Sequence, residues 1–236
     1  MNLNKKIRDV TKKLCAFLSY LIFTKRCPLC DEIIDMSNHV CNLCEAQADN
    51  LRTKTIECSG YNDNKYYDGA YAAFYYDGIL KTAIGDFKFK GVKNKAKYFS
   101  MEIIRLIKAV TPDMKYDLVT YVPMTEKQKK IRKYNHSKLI AELVADEIGI
   151  PCFGIITKIK ENKVQHQLNA YERADNVKGV YDVIESLYLN EKTILLIDDV
   201  FTTGSTLNEC CKVLKINNSI KIYCFVIAKT RFLLKS

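Results

Sequence analysis

Apolar and polar residues change their spacing along the chain in a way that divides the residues from 66 onwards into alternating strands and helices. Short, nearly continuous apolar runs predict strands at residues 67–76, 118–122, 153–159, 193–197 and 220–227. Apolar residues at helical spacing predict helices between them, at residues 79–84, 99–110, 139–148 and 207–214. Such an alternation is typical of an α/β fold with an open, mostly parallel sheet covered on both faces.

The first 60 residues do not follow this pattern. Their longest apolar run, residues 14–23, is interrupted by Ser19 and Tyr20 and falls short of the roughly 18 residues that a membrane-spanning helix needs. Basic residues precede the run, as they do in a signal peptide, but Thr24, Lys25 and Arg26 follow where a small-residue cleavage site would stand. We therefore expect a retained N-terminal helix and no membrane span.

Four cysteines in this region have the spacing of two metal-binding knuckles, C-x2-C-x10-C-x2-C: Cys27, Cys30, Cys41 and Cys44. Four thiolates in a tetrahedron suit a structural Zn²⁺ ion, which would supply the folding free energy of a segment with few apolar residues. Two disulfides, or unligated core thiols, are the alternatives. His39 and Cys58 lie nearby, but four cysteines already complete the shell.

The two patterns predict two units. Residues 1–60 would form the N-terminal helix and the four-cysteine zinc module, and residues 61–236 would form the α/β domain. The remaining cysteines are scattered through apolar segments, which favours a reducing, cytoplasmic setting over a secreted disulfide scaffold.

Charge adds one expectation about partners. The formal net charge of +10 favours an anionic partner such as a nucleotide, nucleic acid or acidic lipid. The cations concentrate in two tracts: Lys88, Lys90, Lys93, Lys95 and Lys97, and then Lys127, Lys129, Lys130, Arg132 and Lys133. These tracts are either solvated faces or, with Tyr98 and Tyr134 as stacking platforms, a groove for single-stranded DNA.

The strongest chemical signal follows the most apolar strand. Asp198 and Asp199 come directly after residues 194–197, and a hydroxyl-rich turn leads into the next helix. The turn consists of Thr202, Thr203, Gly204, Ser205 and Thr206. A helix N-terminus with several hydroxyl donors suits a phosphate, and the carboxylates can accept hydrogen bonds from vicinal ribose hydroxyls. The alternative is that the two acids only cap a helix or form a surface turn.

Neither G-x-x-x-x-G-K-[ST] nor G-x-G-x-x-G occurs in the chain, so the P-loop and dinucleotide-binding classes lack their fingerprints. An apolar strand, two acids and a Thr-Thr-Gly-x-Thr loop instead resemble the type I phosphoribosyltransferases. The chain as a whole resembles the ComF family, in which a four-cysteine zinc segment precedes such a domain. The matching stretches are the cysteine knuckles, residues 87–91, 122–123, 132–136, 165–168, 173–179 and 198–206.

The resemblance implies roles for individual residues. Asp198 and Asp199 would hold the ribose of phosphoribosyl pyrophosphate (PRPP), and residues 202–206 its 5′-phosphate. Pro123 and Met124 would belong to the pyrophosphate loop, with Mg²⁺ bridging pyrophosphate and ribose oxygens. Residues 160–178 would form a mobile flap. Further substrate-binding residues would be Arg132, Lys133, Gln165, Arg173 and Asn176.

The resemblance also implies a function: a phosphoribosyltransferase that acts in DNA uptake during natural competence. The alternative is a non-catalytic, ligand-sensing adaptor that binds single-stranded DNA and uptake proteins. One stretch departs from the family pattern Arg-Gly-Phe-Asn-Gln, because the chain has Lys133, Tyr134 and His136 at three of those positions. This departure weakens any role for position 136, whereas the loop at residues 202–206 is intact.

Overall fold

The computed structural model describes residues 24–53, 57–58, 65–90, 94–160, 179–184, 189–216, 218 and 220–231. The strands are β1 (Lys25–Arg26), β2 (Ile33–Ile34), β3 (Gly69–Tyr75), β4 (Leu118–Tyr121), β5 (Ile156–Lys158), β6 (Tyr181–Val183), β7 (Thr193–Phe201) and β8 (Lys221–Lys229). The helices are α1 (Asn42–Leu51), α2 (Gly78–Phe89), α3 (Lys95–Val110), α4 (Glu126–Arg132), α5 (His136–Ile148) and α6 (Ser205–Lys215). Within these ranges no helix is both long enough and apolar enough to cross a membrane.

The central sheet has four parallel strands in the order β3-β8-β7-β4. Along β7, Leu195 and Ile197 join one hydrophobic cluster, whereas Ile194 and Leu196 join a second. Since neighbouring residues of a strand point to opposite faces, both faces of the sheet are buried. The predicted α/β class with a mostly parallel sheet is confirmed.

The first hydrophobic cluster joins the N-terminal segment to the domain. Cys27, Leu29 and Cys44 belong to the same buried cluster as Phe87 and Phe99 of α2 and α3. A polar contact also joins the N-terminal segment to the domain: the buried Lys95 ammonium donates to the carbonyl of Pro28 at 2.6 Å. Residues 24–51 therefore pack on the domain, while the predicted boundary at residue 60 stays a prediction.

Two expectations about strands need correction. Residues 153–159 do not form a full strand of the parallel sheet. Phe153 donates its N–H to the Val119 carbonyl of β4 at 3.0 Å, but β5 pairs antiparallel with β6 in a separate two-stranded sheet. The strand predicted to end at Ile197 continues to Phe201, since Asp198, Val200 and Phe201 stay in register with β8. Parallel pairing with β8 continues the strand past the two acids that interrupt its apolar run.

Other differences concern helices. The basic segment after Pro123 forms the short helix α4, which begins with a capping box between Thr125 and Gln128. None of its residues is buried, so hydrophobic periodicity gave no sign of it. The predicted N-terminal helix at residues 14–23 lies outside the described residues, as does all but Lys160 of the predicted flap.

Candidate functional site: an acidic pair and a hydroxyl loop at the carboxyl edge of the sheet

Asp198 and Asp199 lie in the last part of β7, beside the end of β4. Tyr121 of β4 pairs with Ile197, and the N–H of Val122 donates to the Ile197 carbonyl at 3.1 Å. Pro123 and Met124 follow directly, so parallel pairing brings the predicted pyrophosphate loop to the same edge as the acids. Ligands of open parallel sheets bind at this carboxyl edge.

Asp198 is nine-tenths buried and accepts a hydrogen bond from Ser137 Oγ at 2.9 Å. Burial, followed by the neighbouring charge of Asp199, raises the pKa of its carboxyl well above the usual range. The Ser137 hydroxyl opposes this shift but does not cancel it. At neutral pH Asp198 is thus the member of the pair that takes up a proton more readily.

Asp199 has the opposite electrostatic balance. Burial on its own would raise the pKa of this carboxyl, but the ammonium of Lys88 outweighs burial and lowers it. The Lys88 Nζ atom lies 2.8 Å from Asp199 Oδ1, and both side chains are less than one-fifth exposed. One acid of the pair is therefore held ionised by a buried cation.

The hydroxyl loop after β7 contains one residue in the left-handed conformation, Gly204. Gly204 has a φ of +79° and precedes α6, and a Cβ at this position would lie 2.6 Å from the Phe201 ring. Glycine is thus required twice, for the backbone angle and for the close ring contact. Thr203 Oγ1 lies 2.7 Å from Ser205 Oγ, and α6 directs its first N–H groups towards the loop. This arrangement can bind a phosphate.

Thr202 and Thr206, the other two predicted hydroxyls, have contacts of their own. The carbonyl of Thr202 accepts from Thr230 Oγ1 at 3.3 Å, and the Thr206 side chain shares a hydrogen bond with the buried phenol of Tyr181. Both are half-buried. The loop is therefore anchored through Thr202 to Thr230, the residue after β8, and through Thr206 to β6.

Sequence reasoning missed the structural role of residues 134–137, which we call the clamp segment. Tyr134 donates its hydroxyl to the Phe87 carbonyl at 2.6 Å, and His136 Nε2 lies 3.0 Å from the Lys88 carbonyl. The second contact is a hydrogen bond when the proton is on Nε2. His136 is buried against the rings of Phe87 and Tyr134, and burial lowers its pKa to about 4. His136, which departs from the family pattern, thus contacts and holds the end of α2.

The other two residues of the clamp segment reach the acids and the Pro123 loop. Asn135 caps α5 by accepting from Lys138 N, and its amide donates to the Val122 carbonyl at 3.1 Å. Ser137 donates to Asp198. One short segment therefore connects the end of α2, the end of β4 and the acidic pair.

The remaining predicted ligand residues are dispersed. The Arg132 guanidinium lies over the exposed ring of Phe89, 5.2 Å from its centroid, and Lys133 is an exposed residue with a φ of +68° at the end of α4. Gln165, Arg173 and Asn176 lie outside the described residues.

The first basic tract is neither a uniform solvated face nor a uniform groove. Lys88 pairs with Asp199, and Lys95 is 2% exposed and bonded to Pro28. Only Lys90 and Lys97 are exposed among its described members. In the second tract, Lys127, Lys129, Lys130 and Lys133 are exposed.

A cavity of about 780 Å³ adjoins the Pro123 loop. It lies between α5 and the β5–β6 hairpin, and Pro123 and Met124 contribute to its wall, while Asp198 and Asp199 do not. Its charged lining consists of four lysines and two acids: Lys129, Lys138, Lys158, Lys160, Glu126 and Glu142. Apolar residues such as Leu139, Ile156 and Ile184 complete it. The cavity therefore suits a ligand with both anionic and apolar parts.

The four predicted cysteines come together as a cluster, with all sulfur atoms within 4.8 Å of one another. Cys30 Sγ and Cys41 Sγ are 3.8 Å apart, which matches the edge of about 3.8 Å expected for a tetrahedron with Zn–S bonds of about 2.3 Å. All four are free thiols, so the disulfide alternative is not seen. His39 is exposed, and Cys58 lies in the second hydrophobic cluster, away from the four sulfurs.

The surroundings of the cluster fit a thiolate-bound metal. Burial would raise the pKa of Cys27, but N–H groups of Cys41, Cys30 and Leu29 act on its sulfur and lower the pKa to about 7. Burial raises the pKa of Cys44, which a bound cation would reverse. The cluster is closed by four sulfurs, as in structural zinc sites.

The comparisons agree with this architecture. Residues 135–232 match the family model described as the phosphoribosyl transferase domain. Competence protein F of Haemophilus influenzae is 34% identical over 98 residues, which cover 40% of this chain and 42% of that protein. Competence protein ComFC of Bacillus subtilis is 25% identical over 189 residues, 80% of this chain and 70% of that protein.

DNA utilization protein YhgH of Escherichia coli is 24% identical over 115 residues, covering 48% of this chain and half of that protein. Among solved structures, adenine phosphoribosyltransferase from Leishmania tarentolae gives a TM-score of 0.40 at 9% identity, covering 72% of this chain and 94% of that one.

The parallel sheet, the acidic pair with its hydroxyl loop and the matching family model define a domain of the type I phosphoribosyltransferase fold. Relatives named for competence and DNA utilization, together with the four-cysteine cluster, support the resemblance of the chain to the ComF family. The resemblance predicted from the sequence motifs is confirmed.

Proposed function

We propose that the chain binds PRPP at the carboxyl edge of the sheet and transfers its phosphoribosyl group. The observation that carries this proposal is the order of groups along one stretch of chain: two acids in the last part of β7, then Gly204 and the first turn of α6. The carboxylates would accept from the ribose hydroxyls, and the loop would donate to the 5′-phosphate.

Transfer at C1 of the ribose would need little covalent help from the protein. The bond from C1 to pyrophosphate breaks and a bond to an acceptor nucleophile forms, through a transition state with positive charge on the ring. The protein would hold the ribose by its hydroxyls and phosphate and would exclude water from C1. Lysines outnumber acids four to two in the cavity lining beside Pro123, and this excess of positive charge favours the departing pyrophosphate.

Mg²⁺ would arrive with the ligand. Asp199 is paired with Lys88 and Asp198 with Ser137, and the cysteine cluster is the one group of potential metal-binding side chains among the described residues. The acids thus form no ready protein cage for a cation. This fits an ion that is coordinated mainly by pyrophosphate oxygens, ribose oxygens and water.

The test is calorimetric titration of metal-quantified protein with PRPP, with and without Mg²⁺. We expect saturable binding that is tighter with Mg²⁺, and a higher melting temperature at saturation because the ligand binds only the native state. Ribose 5-phosphate and pyrophosphate serve as matched partial ligands, and each is expected to bind more weakly than PRPP. Absence of heat and of any melting shift with PRPP would refute the proposal.

A second function, the binding of single-stranded DNA, is favoured by α4 and its surroundings. The helix has no buried residue and carries Lys127, Lys129, Lys130 and Arg132, and it borders the lysine-lined cavity. Phosphates that contact this face would displace condensed counterions. Relatives named for competence and DNA utilization make DNA the anionic polymer to test.

The expected result is an affinity for a labelled oligothymidylate that falls steeply with salt and drops in Lys127→Glu/Lys130→Glu. Both residues are exposed, so the fold is expected to stay intact. Lys108→Glu/Lys115→Glu, a change of equal charge away from α4, is the control. Equal affinity in the two double variants would assign the binding to net charge and remove α4 as the surface.

A further inference from the structure

Lys88 and Asp199 form an ion pair that the proposed chemistry does not itself require. The two side chains are 16% and 13% exposed, and the Nζ–Oδ1 distance is 2.8 Å. Solvent screens such a pair less than it screens a surface ion pair. The pair joins the last turn of α2 to the end of β7, two elements far apart in sequence.

Two hydrogen-bond contacts hold the backbone that carries the Lys88 side chain. His136 contacts the carbonyl of Lys88 itself at 3.0 Å, and Tyr134 donates to the preceding carbonyl, that of Phe87, at 2.6 Å. The carbonyls at a helix end lack intrahelical partners, so these two contacts fix where α2 ends. Only the side chain of Lys88 then needs to be ordered to reach Asp199.

The groups that face Asp199 differ in the charge they bring at neutral pH. Asp198 on the same strand adds negative charge, whereas Lys88 from α2 and Arg132 from α4 add positive charge. His136 from α5 would also favour the carboxylate if it were charged, but its pKa of about 4 leaves it neutral. Lys88 is therefore the cation in hydrogen-bond contact with this acid.

We infer that Lys88 is a positioning residue of the ribose subsite, which keeps Asp199 as a fixed, ionised hydrogen-bond acceptor beside Asp198. This inference rests on the proposed function of the site. Without the cation, burial would raise the pKa of Asp199, and a protonated carboxyl has less capacity to accept from ribose hydroxyls. The first basic tract thereby contains a residue that acts on the ligand site through Asp199 rather than through contact with DNA.

The test compares Lys88→Met with Lys90→Met. The two residues lie two positions apart, and Lys90 is 72% exposed and pairs with Asp86 instead of with the site. Affinity for PRPP with Mg²⁺ is measured by calorimetry from about pH 6 to about pH 8. At neutral pH we expect Lys88→Met to bind about 10- to 100-fold more weakly than wild type, and Lys90→Met to bind like wild type.

The pH profile separates positioning from general damage. Without Lys88 the acidic pair retains a proton that binding must release, so the deficit of Lys88→Met is expected to shrink as the pH rises. Lys88→Arg is expected to restore most of the affinity, because it restores the cation. Lys88→Gln, which keeps the length and a donor, provides the same pH test should Lys88→Met fail to fold.

The outcomes are distinguishable. Wild-type affinity in Lys88→Met or Lys88→Gln, or a deficit that is the same at every pH, would overturn the role of Lys88 and leave the proposed function standing. A wild-type chain that binds no PRPP would overturn the function and the subsite together.

Discussion

Cys44→Ser is expected to release the metal and to lower the melting temperature by roughly 10 °C or more. Cys44 is buried in α1, and its sulfur is one of the four that cluster. A serine hydroxyl cannot replace a thiolate ligand, so the segment would lose the folding free energy that the metal supplies. The loss extends to the domain, because the cysteine segment shares a hydrophobic cluster with α2 and α3. Zinc content and thermal unfolding are the measurements.

His39→Ala is the matched control, because His39 lies between the knuckles, is exposed and is not part of the cluster. It is expected to keep both the metal and the melting temperature. Equal melting temperatures for Cys44→Ser and His39→Ala, with no metal in the wild type, would show that the thiols are simply core residues. A loss of metal in both variants would instead add His39 to the ligand set.

Zinc loss is also expected to weaken the ligand site. Lys95 donates to Pro28, which lies within the first knuckle, and its helix α3 packs beside α2. Because α2 carries Lys88, loosening this contact would reduce the precision with which Lys88 meets Asp199. The metal module and the acidic pair are therefore mechanically connected through two helices, although they lie on different parts of the chain.

The sequence pattern predicted correctly those elements that depend on residues close together in the chain. The apolar run at residues 194–197 and the helical spacing of Leu207, Cys211 and Leu214 correspond to β7 and α6. The cysteine spacing predicted the cluster, since a short turn brings Cys27 and Cys30 together and the first turn of α1 does the same for Cys41 and Cys44. The helix predicted at residues 139–148 corresponds to α5, which ends at Gly149 in the left-handed conformation.

What the sequence did not predict depends on contacts between distant segments. The antiparallel pairing of β5 with β6 links strands of three residues each, too short for a reliable period. Lys88 looks like its neighbours in a basic tract, and only the packing of α2 against the carboxyl edge makes it the partner of Asp199. Position 136 departs from the family pattern, yet the aromatic rings around it make histidine a well-packed link.

The two acids are expected to respond oppositely to neutralisation. In the folded chain the pKa of Asp198 is raised, so the stability associated with it is present at low pH and lost as the pH rises. Asp198→Asn removes that loss and keeps an acceptor for Ser137, and is expected to stabilise the fold by about 1–2 kcal/mol near pH 8. The gain is expected to shrink towards pH 4, where Asp198 is already protonated in wild type.

Asp199 has a lowered pKa, so its stabilisation is present at neutral pH and lost only as the pH falls below its usual range. Asp199→Asn leaves Lys88 without its carboxylate and is expected to destabilise the fold by about 1–3 kcal/mol at neutral pH. Chemical denaturation at several pH values measures both effects. Calorimetry with PRPP is expected to show about 10- to 100-fold weaker binding in each variant, because an amide keeps only one acceptor oxygen and adds N–H donors that face the donating ribose hydroxyls.

This pair of substitutions separates stability from ligand binding within one site. Asp198→Asn would be a more stable protein that binds poorly, which a purely structural role for the acids does not allow. If both substitutions shifted the free energy of unfolding in the same direction, Lys88 would not be the group that makes Asp198 and Asp199 differ in charge. Wild-type PRPP affinity in both variants would show that the acids do not belong to the ribose subsite, because the loss of a group that binds the sugar hydroxyls raises the dissociation constant.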